Sequence, residues 1–148
     1  MDIDKLLTSK RISYDLKASN KEESIDELIE ILYSDGVIRD KSIFKKAVMK
    51  REEEFSTGIG NGIGIPHGKS DAVLEAAIAL GISKEGIEFD SMDGEPVNLI
   101  FLIAVPEESN DIHLKILSYI SRRLMHSSVR EKLMEAKNYN NILEAFQE

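Results

Sequence analysis

Glycine recurs at every second position from Gly58 to Gly64, and the run leads through a proline to a histidine: Thr57-Gly58-Ile59-Gly60-Asn61-Gly62-Ile63-Gly64-Ile65-Pro66-His67-Gly68. Backbone amides in such a stretch can meet phosphate oxygens without interference from side chains. A neutral imidazole nitrogen beside them can attack phosphorus and hold the phosphoryl group as a phosphoramidate. His67 is therefore a candidate nucleophile and carrier in one residue, and Gly58, Asn61 and Gly68 are candidate phosphate-loop positions. Two nucleotide-loop patterns fail on the same glycines. A Walker A loop needs four residues between its first Gly and Gly-Lys-Ser, and only three separate Gly64 from Gly68-Lys69-Ser70. In G-x-G-x-x-G the third glycine would fall on Ile63, Ile65 or His67.

Two further residues occupy costly places. Phe44, Ala47, Val48 and Arg51 share one helical stripe, so Arg51 lies on the apolar side near a helix end. His113 stands three residues before Ile116, in the first turn of a helix whose apolar face is Ile116, Leu117, Ile120 and Leu124. Each would cost stability if left unpaired. An Arg beside a phosphoryl group makes charge-assisted bonds, and a helix N-terminus favours an anion. Converging on His67, the two would cradle phosphate. The structural alternatives are a satisfied buried imidazole for His113 and a snorkelling side chain for Arg51. Ser56 and Thr57 are turn formers, or else a hydroxyl of theirs touches phosphate. Glu52 to Glu54 reads as a solvated patch in which Glu53 could contact a neighbour, and His126 as a surface or helix-terminal residue.

Positioning these groups falls to alternating helices and strands. Asn20 with Glu23 caps a helix over residues 19–36 that Gly36 ends, and a second helix starts at Asp40 or Ser42. Residues 58–65 read as one extended segment, which Pro66 stops so that His67 is exposed just beyond it. Strands are expected over 76–83 and 97–105, the latter apolar throughout as in a strand buried on both faces. Ser109-Asn110-Asp111 caps a helix through Met125, Ser128 with Glu131 caps another over 129–136, and a short helix spans 140–146. The pattern predicts a single α/β domain over residues 1–148, its sheet covered on both sides.

At 148 residues, with 42% hydrophobic content, the chain suits one core. A net charge of -8 argues against a nucleic-acid partner. The absence of cysteine excludes thiolate chemistry and disulfides. No stretch is apolar enough for a secretory leader or a membrane span, so a cytoplasmic location without membrane insertion is expected. His67, His113 and His126 lack a close ligand pair such as H-E-x-x-H, and neither a metal nor an organic cofactor is expected.

The stretch from Arg51 to Gly68, with its S-T-G-I-G-N-G-x-x-I-P-H-G pattern, closely resembles the active-site region of phosphotransferase-system enzyme IIA domains of the fructose/mannitol class. His113-Leu114 with Leu117 resembles their second histidine region. The resemblance covers the whole chain in length and element order. It implies a mixed β-sheet sandwiched between helices and a phosphotransferase role. In that role His67 accepts phosphate from phospho-HPr and passes it to a IIB domain, which serves a membrane IIC component. It further implies that Arg51 and His113 flank the phosphorylated ring. Residues 89–94, followed by 97–105 and Pro106, look most like fructose-type members. The nitrogen-related branch shares the histidine loop, which leaves a regulatory protein signalling by its phosphorylation state as the alternative. Gly64 stands where many members carry alanine, a change expected to loosen the strand.

Overall fold

A computed structural model describes residues 2–109 and 111–147. Helix α2 (Lys21–Ser34) begins as its caps dictate: Asn20 Oδ1 accepts from the Glu23 amide at 2.9 Å, and Glu23 reaches back to the Ser19 amide at 3.1 Å. Gly36 then leaves the helix in the left-handed region at φ 77°. Asp40 caps α3 (Lys41–Glu54) by accepting from the Ile43 amide at 3.0 Å. Ahead of these lie α1 (Ile3–Leu6), a 3-10 turn at Ser9–Arg11 and β1 (Ile12–Ser13), pieces too short to show a period in sequence.

The glycine run is two strands and not one. β2 (Gly58–Gly60) and β3 (Ile63–Gly64) pair antiparallel around Asn61 and Gly62, whose φ values are 57° and 76°. A type I′ hairpin turn requires positive φ at both central residues, a conformation Asn-Gly tolerates best. The period-two pattern is real, but the chain reverses in its middle. After Ile65 and Pro66 a new strand, β4 (His67–Ser70), starts on the histidine itself, so His67 opens a strand where the sequence suggested a residue beyond one.

β5 (Ala77–Ile87) and β6 (Val97–Pro106) form the antiparallel centre of a mixed sheet ordered β1-β5-β6-β3-β2. β3 and β4 both run parallel to β6 along the same edge, β3 opposite Leu99 and Ile100 and β4 opposite Ile103 to Pro106. Alternation along β6 divides the core. Leu99, Phe101, Ile103 and Val105 pack with α4 (Ile112–Leu124), α5 (Ser127–Glu135) and α6 (Tyr139–Phe146). Ile100, Leu102 and Ala104 pack with α2 and α3 on the opposite face. Helices thus cover both sides, as the α/β reading requires. α5 starts earlier than its Ser128-Glu131 signal implied: His126 is the N-cap and its carbonyl accepts from Val129 and Arg130. Asp111 precedes α4 without a side-chain cap bond, and Asn110, the middle residue of the proposed Ser109-Asn110-Asp111 cap, lies outside the described residues.

The α2 and α3 side approaches the sheet closely because small residues face it. A β-carbon on Gly81 would stand 2.6 Å from Leu16 Cδ1 and 2.8 Å from its Cγ. Gly81→Val is expected to destabilise the protein by about 1–3 kcal/mol through overpacking, read as a lower urea midpoint at unchanged slope.

Candidate active site

His67 sits where strand β4 leaves the Ile65-Pro66 break, half-buried. Its Nδ1 lies 2.9 Å from the Ile65 carbonyl oxygen. A carbonyl can only accept, so Nδ1 carries the ring hydrogen and Nε2 keeps the lone pair. The bases of the loop hold this corner in place: the Ile65 amide donates to Thr57 O at 3.0 Å, and the Ile103 amide to Pro66 O at 2.9 Å. Burial pushes the His67 pKa below its ordinary 6.5. The Ile65 carbonyl opposes that shift by bonding the protonated side of the ring, the charge of Arg51 reinforces it, Glu52 opposes it and His113 reinforces it.

Gly68 explains how Arg51 comes close. A β-carbon there would be 2.9 Å from Val48 Cγ2 and 3.0 Å from Phe44 Cε1, so β4 lies directly against α3. Arg51, three residues past Val48, projects from the last turn of α3 beside the first residue of β4. Its Nη1 donates to the Phe55 carbonyl at 2.9 Å. From the other face of the sheet, α4 follows the end of β6 and brings His113 in its first turn. His113 Nδ1 is buried and has no hydrogen-bond partner among the described residues. The fold therefore gathers Arg51 and His113 around His67, each close enough for its charge to act on the ring.

The other candidates separate from this group. Ser56 Oγ donates to Phe89 O at 2.9 Å and accepts from Lys21 Nζ and the Gly58 amide. The buried Thr57 hydroxyl bonds the Glu52 carboxylate. Both hydroxyls thus donate to acceptors of the protein itself. A β-carbon on Gly58 would fall 2.5 Å from Ser91 Oγ, which makes that glycine a packing requirement. Asn61 is the hairpin tip. The neighbouring Gly62 carbonyl accepts from Asn98 and Leu99, four residues along β6 from the Ile103 that pairs His67. At about 3.3 Å per residue that sets the hairpin tip roughly 13 Å along the sheet from His67. Gly68 serves helix packing, as above. Gly64 does not loosen its strand: Phe89 Cε1 would be 3.1 Å from a β-carbon there, so the missing methyl admits an aromatic ring. His126 is exposed at the start of α5.

One residue escaped the sequence reading. Glu52, assigned to a solvated patch, has a side chain only 2% exposed and pairs with Lys21 at 3.0 Å. Its signal was present, because Phe44, Val48 and Glu52 recur at i, i+4 and i+8 on the buried stripe. Glu53 and Glu54 are exposed as expected of that patch. Among the described residues, no group of three or more His, Cys, Asp or Glu is placed to hold a metal ion.

Residues 5–148 match the family described as phosphoenolpyruvate-dependent sugar phosphotransferase system, EIIA 2. The chain belongs to this family. It is 41% identical over 144 residues to a PTS system fructose-specific EIIABC component of Bacillus subtilis (strain 168), covering 97% of this chain but 23% of that protein. It is also 41% identical over 147 residues to a PTS system fructose-specific EIIA component of Haloferax volcanii, covering 99% and 96% of the two chains. The crystal structure of the Nitrogen Regulatory Protein IIA-Ntr from Neisseria meningitidis superposes with a TM-score of 0.88 at 30% identity, covering 97% of this chain and 98% of that one. The EIIA chain thus has close relatives on both the sugar and the nitrogen-regulatory sides of the family.

The depressed His67 pKa sets the sign of a titration. Below 6.5 an unfolded His67 takes up a proton that the folded EIIA chain refuses, so its contribution to stability falls as pH drops through the folded value. An NMR titration of the His67 ring is expected to show a midpoint below 6.5, moved upward in Arg51→Ala and in His113→Ala. A midpoint above 6.5 contradicts the described environment.

Proposed function

We propose that this EIIA chain is a phosphoryl carrier in which His67 Nε2 accepts phosphate from the phosphohistidine of HPr and passes it to a IIB domain. The observation that carries the proposal is the Nδ1–H bond to Ile65, which leaves Nε2 as the nucleophile. In the step, the Nε2 lone pair forms the new N–P bond while the donor's N–P bond breaks and its electron pair returns to the donor imidazole. The Nδ1 hydrogen stays against the Ile65 carbonyl throughout. Arg51 and His113 stand where they can neutralise charge on the equatorial oxygens, and catalysis is otherwise a matter of positioning.

The 41% identity to two fructose-specific relatives supports fructose or a related sugar as the cargo of the relay, with a membrane IIC component downstream. The sugar itself does not meet this chain in that scheme. Among the described residues no helix is long and apolar enough to cross a membrane, which suits a cytoplasmic carrier. We read residues 1–148 as one EIIA domain. The likeness to the nitrogen-regulatory structure favours a second reading, in which the phosphorylation state of His67 changes affinity for a partner outside transport.

Incubation with phosphoenolpyruvate, enzyme I and HPr is expected to give an acid-labile, base-stable phosphate on the wild-type chain and none on His67→Ala. Arg51→Ala is expected to fold normally and to slow transfer on the order of 10²-fold. Label on His67→Ala would remove the assignment. Transfer onward to a fructose-type IIB supports the sugar relay, whereas a stable phosphoprotein that no IIB discharges supports the regulatory reading.

A further inference from the structure

The proposed reaction leaves the buried acid of α3 without a task. Three donors converge on the Glu52 carboxylate: Lys21 Nζ at 3.0 Å, the Thr57 amide at 3.1 Å and the Thr57 hydroxyl. The Lys21 side chain is itself only 17% exposed, and its ammonium also meets Ser56 Oγ at 3.2 Å and lies 5.0 Å from the centre of the Phe89 ring. Burying such a pair does not by itself stabilise a protein more than apolar groups of similar volume, so its presence here asks for a reason other than stability.

The hydrogen bonds supply one. Glu52 accepts from the Thr57 amide, the Thr57 carbonyl accepts from the Ile65 amide at 3.0 Å, and the Ile65 carbonyl accepts from His67 Nδ1 at 2.9 Å. An unbroken relay of three bonds therefore runs from the buried carboxylate to the imidazole. Glu52 also grips the short segment 55–58, whose Phe55 carbonyl holds the Arg51 guanidinium at 2.9 Å. One acid thus fixes both the ring and the cation beside it, and Lys21 ties the clasp to the start of α2.

We propose that Glu52, neutralised by Lys21, is a positioning residue for phosphoryl acceptance: it orients His67 through Thr57 and Ile65, and Arg51 through the segment 55–58. The inference rests on His67 being the acceptor. The Thr57 amide and Lys21 share Oε1 of Glu52, while the Thr57 hydroxyl uses Oε2. Glutamine at position 52 keeps one acceptor oxygen but sets an amide nitrogen against the Thr57 hydroxyl and leaves the buried ammonium without its counter-charge, and the displaced segment would misalign nucleophile and cation.

The test measures phosphorylation from phospho-HPr, the melting temperature and the His67 NMR titration in wild type, Glu52→Gln, Lys21→Met and Glu52→Gln/Lys21→Met. Glu52→Gln is expected to lower the maximal rate by roughly 10-fold or more at an unchanged half-saturating HPr concentration. The His67 midpoint is expected to fall further, since the carboxylate that opposed its depression is gone. The double variant, free of an unpaired buried cation, is expected to regain melting temperature without regaining rate. A wild-type rate in Glu52→Gln, or rate and melting temperature returning together in the double variant, overturns the inference. If Glu52→Gln does not fold, Thr57→Val removes one donor while keeping the amide. It is expected to slow transfer several-fold near the wild-type melting temperature, and an unchanged rate overturns the inference equally. Failure of wild type to take label on His67 would instead overturn the carrier reading beneath it.

Discussion

The chemistry proposed for this chain depends on one hydrogen bond, from His67 Nδ1 to the carbonyl two residues earlier. It settles which nitrogen bears hydrogen, and so which nitrogen can form a bond to phosphorus. The bond exists because the sheet edge along β6 is broken. β3 occupies one stretch of that edge and β4 another, with Ile65-Pro66 between them, and there the Ile65 carbonyl turns to the imidazole. Proline contributes by having no amide to place, while its own carbonyl accepts from Ile103. A continuous strand would have spent the Ile65 carbonyl on a ladder bond.

The two faces of the sheet then deliver the remaining groups by different packing. On the α2 and α3 side the sheet presents Ala77, Ala79, Gly81 and Ala104, joined by Gly68, and these let α3 approach until Arg51 stands beside His67. On the other side, larger residues such as Phe101 and Ile103 pack with Ile116 and Ile120 of α4, whose first turn carries His113. A cation and an imidazole thus reach one strand end from opposite layers. That placement depends on the full three-layer stack and is not a property of the loop alone.

Much of this arrangement was legible in the sequence, for identifiable reasons. Asn20 and Asp40 announced their helices through side-chain caps that the structure contains, and the apolar run over 97–105 announced the central strand. The Arg51 and His113 placements were legible because a charged or titratable group on an apolar stripe violates the pattern around it. The hairpin was not, because glycine at every second position looks the same in an extended segment and in one reversed at Asn61-Gly62. Glu52 was hidden by its neighbours: three consecutive acids suggest solvent, and only the spacing from Phe44 and Val48 separates the buried one from the exposed two. Ser56 and Thr57 were open to more than one reading, because hydroxyls near a candidate phosphate site can equally serve a carbonyl or a buried carboxylate, the acceptors they have here. The buried Arg11, bonded to Asp35 at 2.7 Å and to the Leu6 carbonyl at 2.6 Å, belongs to an N-terminal region where no local period existed to be read.

Long-range nitrogen–phosphorus NMR of the enzymatically phosphorylated, nitrogen-labelled protein bears most directly on the central claim. Coupling of phosphorus to His67 Nε2, with Nδ1 still protonated, is the result predicted by the Ile65 bond. Coupling to Nδ1, or to a nitrogen of His113 or His126, would contradict it.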